Sequence, residues 1–184
     1  MKSKPTFRPY LFLFVILCIF PTFTFGQAEI NVKEVFIEAE SYFLFEEYKD
    51  ALPLYQRILQ TDPENFNINY KIGICYLNDI YQVQKSIEYL EKAVKGISPE
   101  CKTNSYKEKR SPPEAMYYLG NAYRENNRMN DAIEAFEQFK QILDPVVYDV
   151  ALVDEQITAC KVATSQRQNP MYFISVNLGE GIND

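Results

Sequence analysis

The stretch Tyr118-Leu119-Gly120-Asn121-Ala122-Tyr123, followed by Asn130-Asp131-Ala132, then Phe136 and Asp144-Pro145, decides the fold, because its key residues recur twice upstream. Ala39-x-x-Tyr42 and Gly73-x-x-Tyr76 align with Gly120-x-x-Tyr123. The first two small residues stand 34 apart, and the last two 47 apart, which is the same period with a 13-residue insertion. After about 12 positions each is followed by a second small residue, Ala51, Ser86 and Ala132. Small residues are needed where two helices of a hairpin approach closely, since a large side chain would hold them apart. Four positions on come Tyr55, Leu90 and Phe136, and three further Ile58, Ala93 and Phe139. That i, i+4, i+7 spacing is the apolar stripe of an amphipathic second helix.

These residues resemble the tetratricopeptide repeat signature, which runs large, Leu, Gly, Tyr, then Ala, Phe, Ala, Pro. The third copy carries it most fully, although its terminal Pro145 falls one place late. The first copy has Ala39 for Gly and Glu38 for Leu but keeps Tyr42, Tyr48, Ala51, Tyr55 and Thr61-Asp62-Pro63. The second keeps Ile72-Gly73 and Tyr76, has Ser86 for Ala, and carries one extra residue before it. The resemblance implies an all-α fold: a right-handed superhelix of three helical hairpins, about residues 32–65, 66–98 and 113–145, within a domain spanning 28–168. Each hairpin exposes an apolar face that only its neighbour covers, so about three repeats are a practical minimum. A capping helix is expected over 146–167, started by Asp144 as N-cap and Pro145 at the first helical position. Its stripe would be Val146, Val150, Val153, Ile157 and Cys160. Seven helices are expected, followed by a short extended tail.

In the family, the first helices of the hairpins line a concave groove that commonly receives a peptide or a partner helix. The family's groove positions fall on Lys33, Phe36, Glu40, Phe43 and Leu44 in the first repeat. In the second they fall on Asn67, Tyr70, Ile74, Leu77 and Asn78, and in the third on Glu114, Tyr117, Asn121, Arg124 and Glu125. Rings and amides together suit an extended peptide, the first supplying buried area and the second bonding main-chain groups. For Phe36, Phe43 and Ile74 the alternative is internal core. A set of Lys and Arg clamping a carboxylate, as in chaperone-binding members of the family, is not evident. The insertion from Gly96 to Pro113 holds Lys102, Lys107, Lys109 and Arg110 against Glu108. It reads either as a contact for an acidic partner or envelope phosphate, or as a solvated connection punctuated by Ser98-Pro99 and Ser111-Pro112-Pro113.

Composition narrows the function classes. The chain has 184 residues and no His, which removes the commonest general base, the Ser-His and Cys-His pairs and the mixed zinc site. The dense acidic groups, Glu46-Glu47 and Asp149, Asp154 and Glu155, fall at a turn and on a wet helix face, so no catalytic residue, cofactor or metal site is assigned. Lys2, Lys4 and Arg8 precede the apolar run Leu11–Phe20, then Pro21 and Gly26, the pattern of a signal peptide over 1–26. The run is short for a membrane span, which needs roughly 20 residues. An uncleaved anchor, or a lipoprotein through Cys18, are the alternatives. With those residues removed the chain has 16 basic and 25 acidic side chains, formally −9, which argues against nucleic acid. Of the remaining cysteines, Cys75 and Cys160 fall on apolar faces and Cys101 in a polar loop, where its thiol is expected to be exposed. From Asn169-Pro170 the period changes: Tyr172, Ile174, Val176 and Leu178 alternate with Phe173, Ser175 and Asn177, which reads as a strand or extended linker over 169–184.

That junction resembles large envelope proteins of the Bacteroidetes type, in which such repeats precede a PD40, β-propeller-like domain and an OmpA-like domain. The sequence therefore points to a non-catalytic periplasmic scaffold, with a protein or peptide in its groove and an outer-membrane complex as its setting. No transmembrane span is expected after signal cleavage. The alternative is a structural spacer or truncated fragment with no binding activity of its own.

Overall fold

The computed structural model describes residues 30–169. The signal-peptide pattern and the alternating tail after Asn169 lie outside them. Among the described residues seven α-helices follow one another: α1 Val32–Leu44, α2 Tyr48–Thr61, α3 Phe66–Leu77, α4 Lys85–Ala93, α5 Glu114–Glu125, α6 Met129–Ile142 and α7 Val150–Gln168. A 3-10 turn, Val94–Gly96, extends α4. Helices pack mainly on their chain neighbours, as expected of an array in which each unit touches only the next.

Helix starts follow from short polar side chains. Asn31 Oδ1 accepts from Glu34 N and Asn65 Oδ1 from Ile68 N, satisfying donors the first turn leaves free. The α1–α2 and α5–α6 turns share one geometry. Glu46 and Asn127 both sit at φ 61°, Glu47 N bonds Tyr42 O and Arg128 N bonds Tyr123 O, closing each helix with a Schellman motif. Between α3 and α4 the extra residue abolishes that turn. The chain there makes a longer loop that leaves Ile80 and Tyr81 exposed.

Three apolar clusters hold the array, each shared by successive helices. The first joins α1, α2 and α3 around Phe36, Tyr55 and Ile72, and the second joins α3, α4 and α5 around Leu90 and Leu119. The third joins α5, α6 and α7 around Phe136, Phe139 and Ile157. At the hairpin crossings Ala39, Ala51 and Ala132 are completely buried. A Cβ on Gly73 would lie 2.6 Å from Leu90 Cγ, and one on Gly120 would lie 2.6 Å from Phe136 Cε1. The glycines are therefore required by the interhelical distance.

The last helix begins later than expected. Asp144 accepts from Val146 N with its side chain and from Val147 and Tyr148 N with its carbonyl, closing a turn around Pro145. Asp149 then caps the helix through Ala151 N. Val146 is 92% exposed, whereas Val153, Ile157 and Cys160 are buried against α6, so the stripe starts only where α7 meets its neighbour.

Gly120→Ala is expected to destabilise the fold even though Ala gains about 1 kcal/mol in helix propensity, because overpacking a filled core costs about 1–3 kcal/mol. Urea unfolding checks the sign. A double-mutant cycle with Phe136→Leu should show positive coupling, since the smaller side chain makes room for the added methyl.

Candidate partner-binding face

The first helices of the hairpins, with α7, share one face whose side chains touch from helix to helix. Between α1 and α3, Lys71 Nζ lies 3.0 Å from Glu40 Oε1 and 4.2 Å from the Phe43 ring centroid. The Tyr55 hydroxyl, reaching from α2, donates to the same Glu40 carboxylate. Burial, reinforced by that bond, raises the Tyr55 pKa far above the ordinary phenol value. The Lys71 and Glu40 side chains are only 6% and 22% exposed, so each charge depends on the other. Between α3 and α5, Tyr70 meets Tyr118 edge to face at 5.8 Å. Between α5 and α7, Arg124 donates to Gln156 and to Glu125.

The expected groove residues fall into two groups on this face. Phe36 and Ile74 are 2% and 4% exposed and belong to the core, which decides between the two readings of them. Asn67 and Tyr70 are also buried. Phe43, Leu77, Tyr117, Asn121 and Arg124 are half-buried, and Glu40 lies beside them in its ion pair. Asn78, Glu125, Lys33 and Leu44 are exposed, although Asn78 uses its Nδ2 to cap Ile74 O in its own helix. Lys71, Tyr118 and Gln156, which also build this face, were not among the expected residues. Lys71 and Tyr118 stand one position after Tyr70 and Tyr117, and the aromatic at 118 was the available signal.

Asn67 is covered by the insertion. Its Nδ2 donates to Thr103 O and its backbone N to Lys109 O, which stitches the loop to the start of α3. At the base of the loop Ile97 and Ser111 form a β-bridge, and the buried Ser111 hydroxyl donates to Ala93 O. The insertion is thus bonded to the repeats mainly through its backbone, while its four basic residues are exposed. Arg110 forks onto Glu108 with two 2.9 Å bonds, and Lys109 reaches Asp62 at 2.8 Å. Lys107 lies over the Tyr106 ring, and Lys102 is exposed. The Arg110 hydrogen bond, assisted by the Lys102 amide, holds the Glu108 carboxyl far below the usual carboxylate range. Cys101 is partly shielded where exposure was expected: Sγ lies 2.9 Å from Arg110 O, and burial, with Glu108 nearby, pushes the thiol up to about 11.

Four buried side-chain oxygens find no hydrogen-bond partner within the described residues: those of Asn67, Asn69, Glu114 and Asn121. Three of them, on Asn67, Glu114 and Asn121, stand at expected groove positions. No group of three or more His, Cys, Asp or Glu is placed to hold a metal among the described residues, and no helix there is long and apolar enough to cross a membrane.

A tetratricopeptide repeat family model matches residues 114–142, the α5–α6 hairpin. Among solved structures, the Sgt2 TPR domain from Aspergillus fumigatus is similar to the chain with a TM-score of 0.56 and 18% identity, covering 82% of this chain and 91% of that one. No curated protein matches the chain in sequence. The fold is an all-α helical repeat of the tetratricopeptide type.

Lys71→Met should destabilise the protein by about 2–4 kcal/mol, because it strands the Glu40 carboxylate. Adding Glu40→Gln should recover part of the loss, which denaturant midpoints of the single and double variants would measure. For Glu108 the folded pKa is lowered, so its stabilisation is complete above the ordinary glutamate value of about 4.3 and is lost as pH falls toward the folded value. Hydrogen-exchange protection of the Lys102 and Arg110 amides should therefore drop below about pH 4. Glu108→Gln should weaken it at neutral pH as well.

Proposed function

We propose that the chain is a non-catalytic scaffold that holds an extended protein or peptide segment along the face of α1, α3, α5 and α7. The observation that carries this reading is the pair of unsatisfied acceptors on α5, Glu114 Oε2 and Asn121 Oδ1. Seven residues apart on one helix, they stand two turns apart, about 10 Å along the axis. A buried acceptor without a donor costs about 1–3 kcal/mol, and the N–H groups of an extended segment are the donors that would remove that cost. The half-buried Tyr117 and Leu77 between α3 and α5 offer apolar area beside them. Helical-repeat arrays commonly use such continuous faces for extended partners.

We place the scaffold in the periplasm, in an outer-membrane-associated assembly. The support is the basic, apolar and small-residue pattern of residues 1–26 and the resemblance of the tail to repeat modules of envelope proteins.

A photo-crosslinking side chain at Tyr117 should capture a discrete protein partner in cells, whereas one at Glu137, on the exposed side of α6, should not. Equal background at both positions would favour a spacer with no working face. The intact mass of the exported protein tests the location, with cleavage after Gly26 as the expected result.

A further inference from the structure

We infer that the cleft between α5 and α7 receives the cationic side chain, Lys or Arg, of the docked segment. This deepens the docking reading and rests on it. The cleft is ≈ 280 Å³, at the low end for a ligand pocket and suited to one long side chain. Its walls are aromatic. Tyr117 lies 5.9 Å from Tyr118 and 5.6 Å from Phe139, and Phe139 lies 5.5 Å from Tyr148, centroid to centroid. Carboxylates close it on two sides, Glu114 from the first turn of α5 and Asp149 from the cap of α7.

The charges available there are all of one sign. Glu114 Oε2 is buried with no partner, and Asp149 commits Oδ1 to Ala151 N. An adjoining cleft of ≈ 310 Å³ shares Glu114 and Tyr148 and adds Asp144. Among the described residues no Lys or Arg lines either cleft. The nearest cation on the same helix, Arg124, is turned to Gln156 and Glu125. Burial, and then a hydrogen bond that the Tyr148 hydroxyl donates to the Glu114 carboxylate, raise the Tyr148 phenol well above its ordinary value, which keeps the ring neutral and leaves Oε2 as the unpaired oxygen.

Three classes of side chain can be compared for this cleft. An ammonium or guanidinium would satisfy Glu114 with a charge-assisted bond and lie against the ring faces. An apolar side chain would fill the volume but leave the buried oxygen unpaired. A carboxylate would meet Glu114 and Asp149 with like charge and no compensating cation.

The test uses the full chain and capped peptide pools, degenerate at flanking positions and fixed at the centre as Lys, Arg, norleucine or Glu. Fluorescence anisotropy should show the Lys and Arg pools binding at least about tenfold more tightly than the norleucine pool, with the Glu pool weakest. Glu114→Gln combined with Asp149→Asn, which retains a capping side chain, should erase that preference. It should bring the Lys and Arg pools down to the level of the norleucine pool and leave the unfolding midpoint unchanged. If norleucine or Glu pools bind as well as the basic ones, or the preference survives in the double variant, the cation site is wrong while docking stands. Absence of binding by every pool overturns docking and the cation site together.

Discussion

The structure depends on how closely the two helices of each hairpin can approach. At Gly73 and Gly120 there is no room for a Cβ, because Leu90 and Phe136 occupy that space from the second helix. In the first hairpin Ala39 and Tyr55 hold the corresponding positions, both fully buried. Close contact puts each second-helix side chain into the groove of the first helix and leaves its remaining apolar surface for the following hairpin. The three clusters are consequences of that geometry. Each hairpin needs the next, and α7 covers the last exposed stripe with Val153, Ile157 and Cys160.

Helix α3 carries the largest share of this mutual covering. Every residue from Asn67 to Tyr76 is buried, including Asn67, Asn69 and Lys71. A helix enclosed on all sides is ordinarily apolar all round, so its polar residues require partners from outside. Lys71 obtains Glu40 from α1, Asn69 donates to Asn65 and Pro63 carbonyls, and Asn67 donates to the insertion. Polar groups of this kind restrict the arrangements in which the chain can bond them, and here the Asn67 and Asn69 oxygens still lack partners within the described residues. They fix the register of α1 and of the loop relative to α3 at a cost in desolvation that an all-apolar helix would avoid.

What was legible in the sequence was what repeats. The spacing of Ala39, Gly73 and Gly120 and of the stripes beyond Ala51, Ser86 and Ala132 reports helix contact directly, so helix number and pairing follow from it. The docking of the insertion was not legible, because main-chain carbonyls do it. Thr103 O and Lys109 O receive Asn67, and Gly96 O and Ser111 O close the base of the loop, and carbonyls have no residue code. The start of α7 was misread because Asp144-Pro145 and Asp149 are both plausible caps. Packing against α6, which begins to bury the stripe only at Val153, selects the second. On the candidate face the aligned positions could not separate Phe36 and Ile74 in the core from the half-buried Tyr117 and Asn121. That distinction depends on how far neighbouring helices overlap.

The charge arrangement of the face has a consequence for recognition. A face that grips an acidic chain end must present cations free to bond it. Here Lys71 is committed to Glu40, Arg124 to Gln156 and Glu125, Lys109 to Asp62 and Arg110 to Glu108. Among the described residues the Glu114 and Asn121 oxygens on α5 lack partners, whereas the unpartnered Asn67 and Asn69 oxygens are enclosed with the buried stretch of α3. Pairing Lys71 and Arg124 leaves the α5 part of the face with acceptors in place of cations, while Lys33 stays exposed on α1. On the docking reading proposed above, the acceptor oxygens of α5 favour main-chain N–H groups and positive side chains over carboxylates.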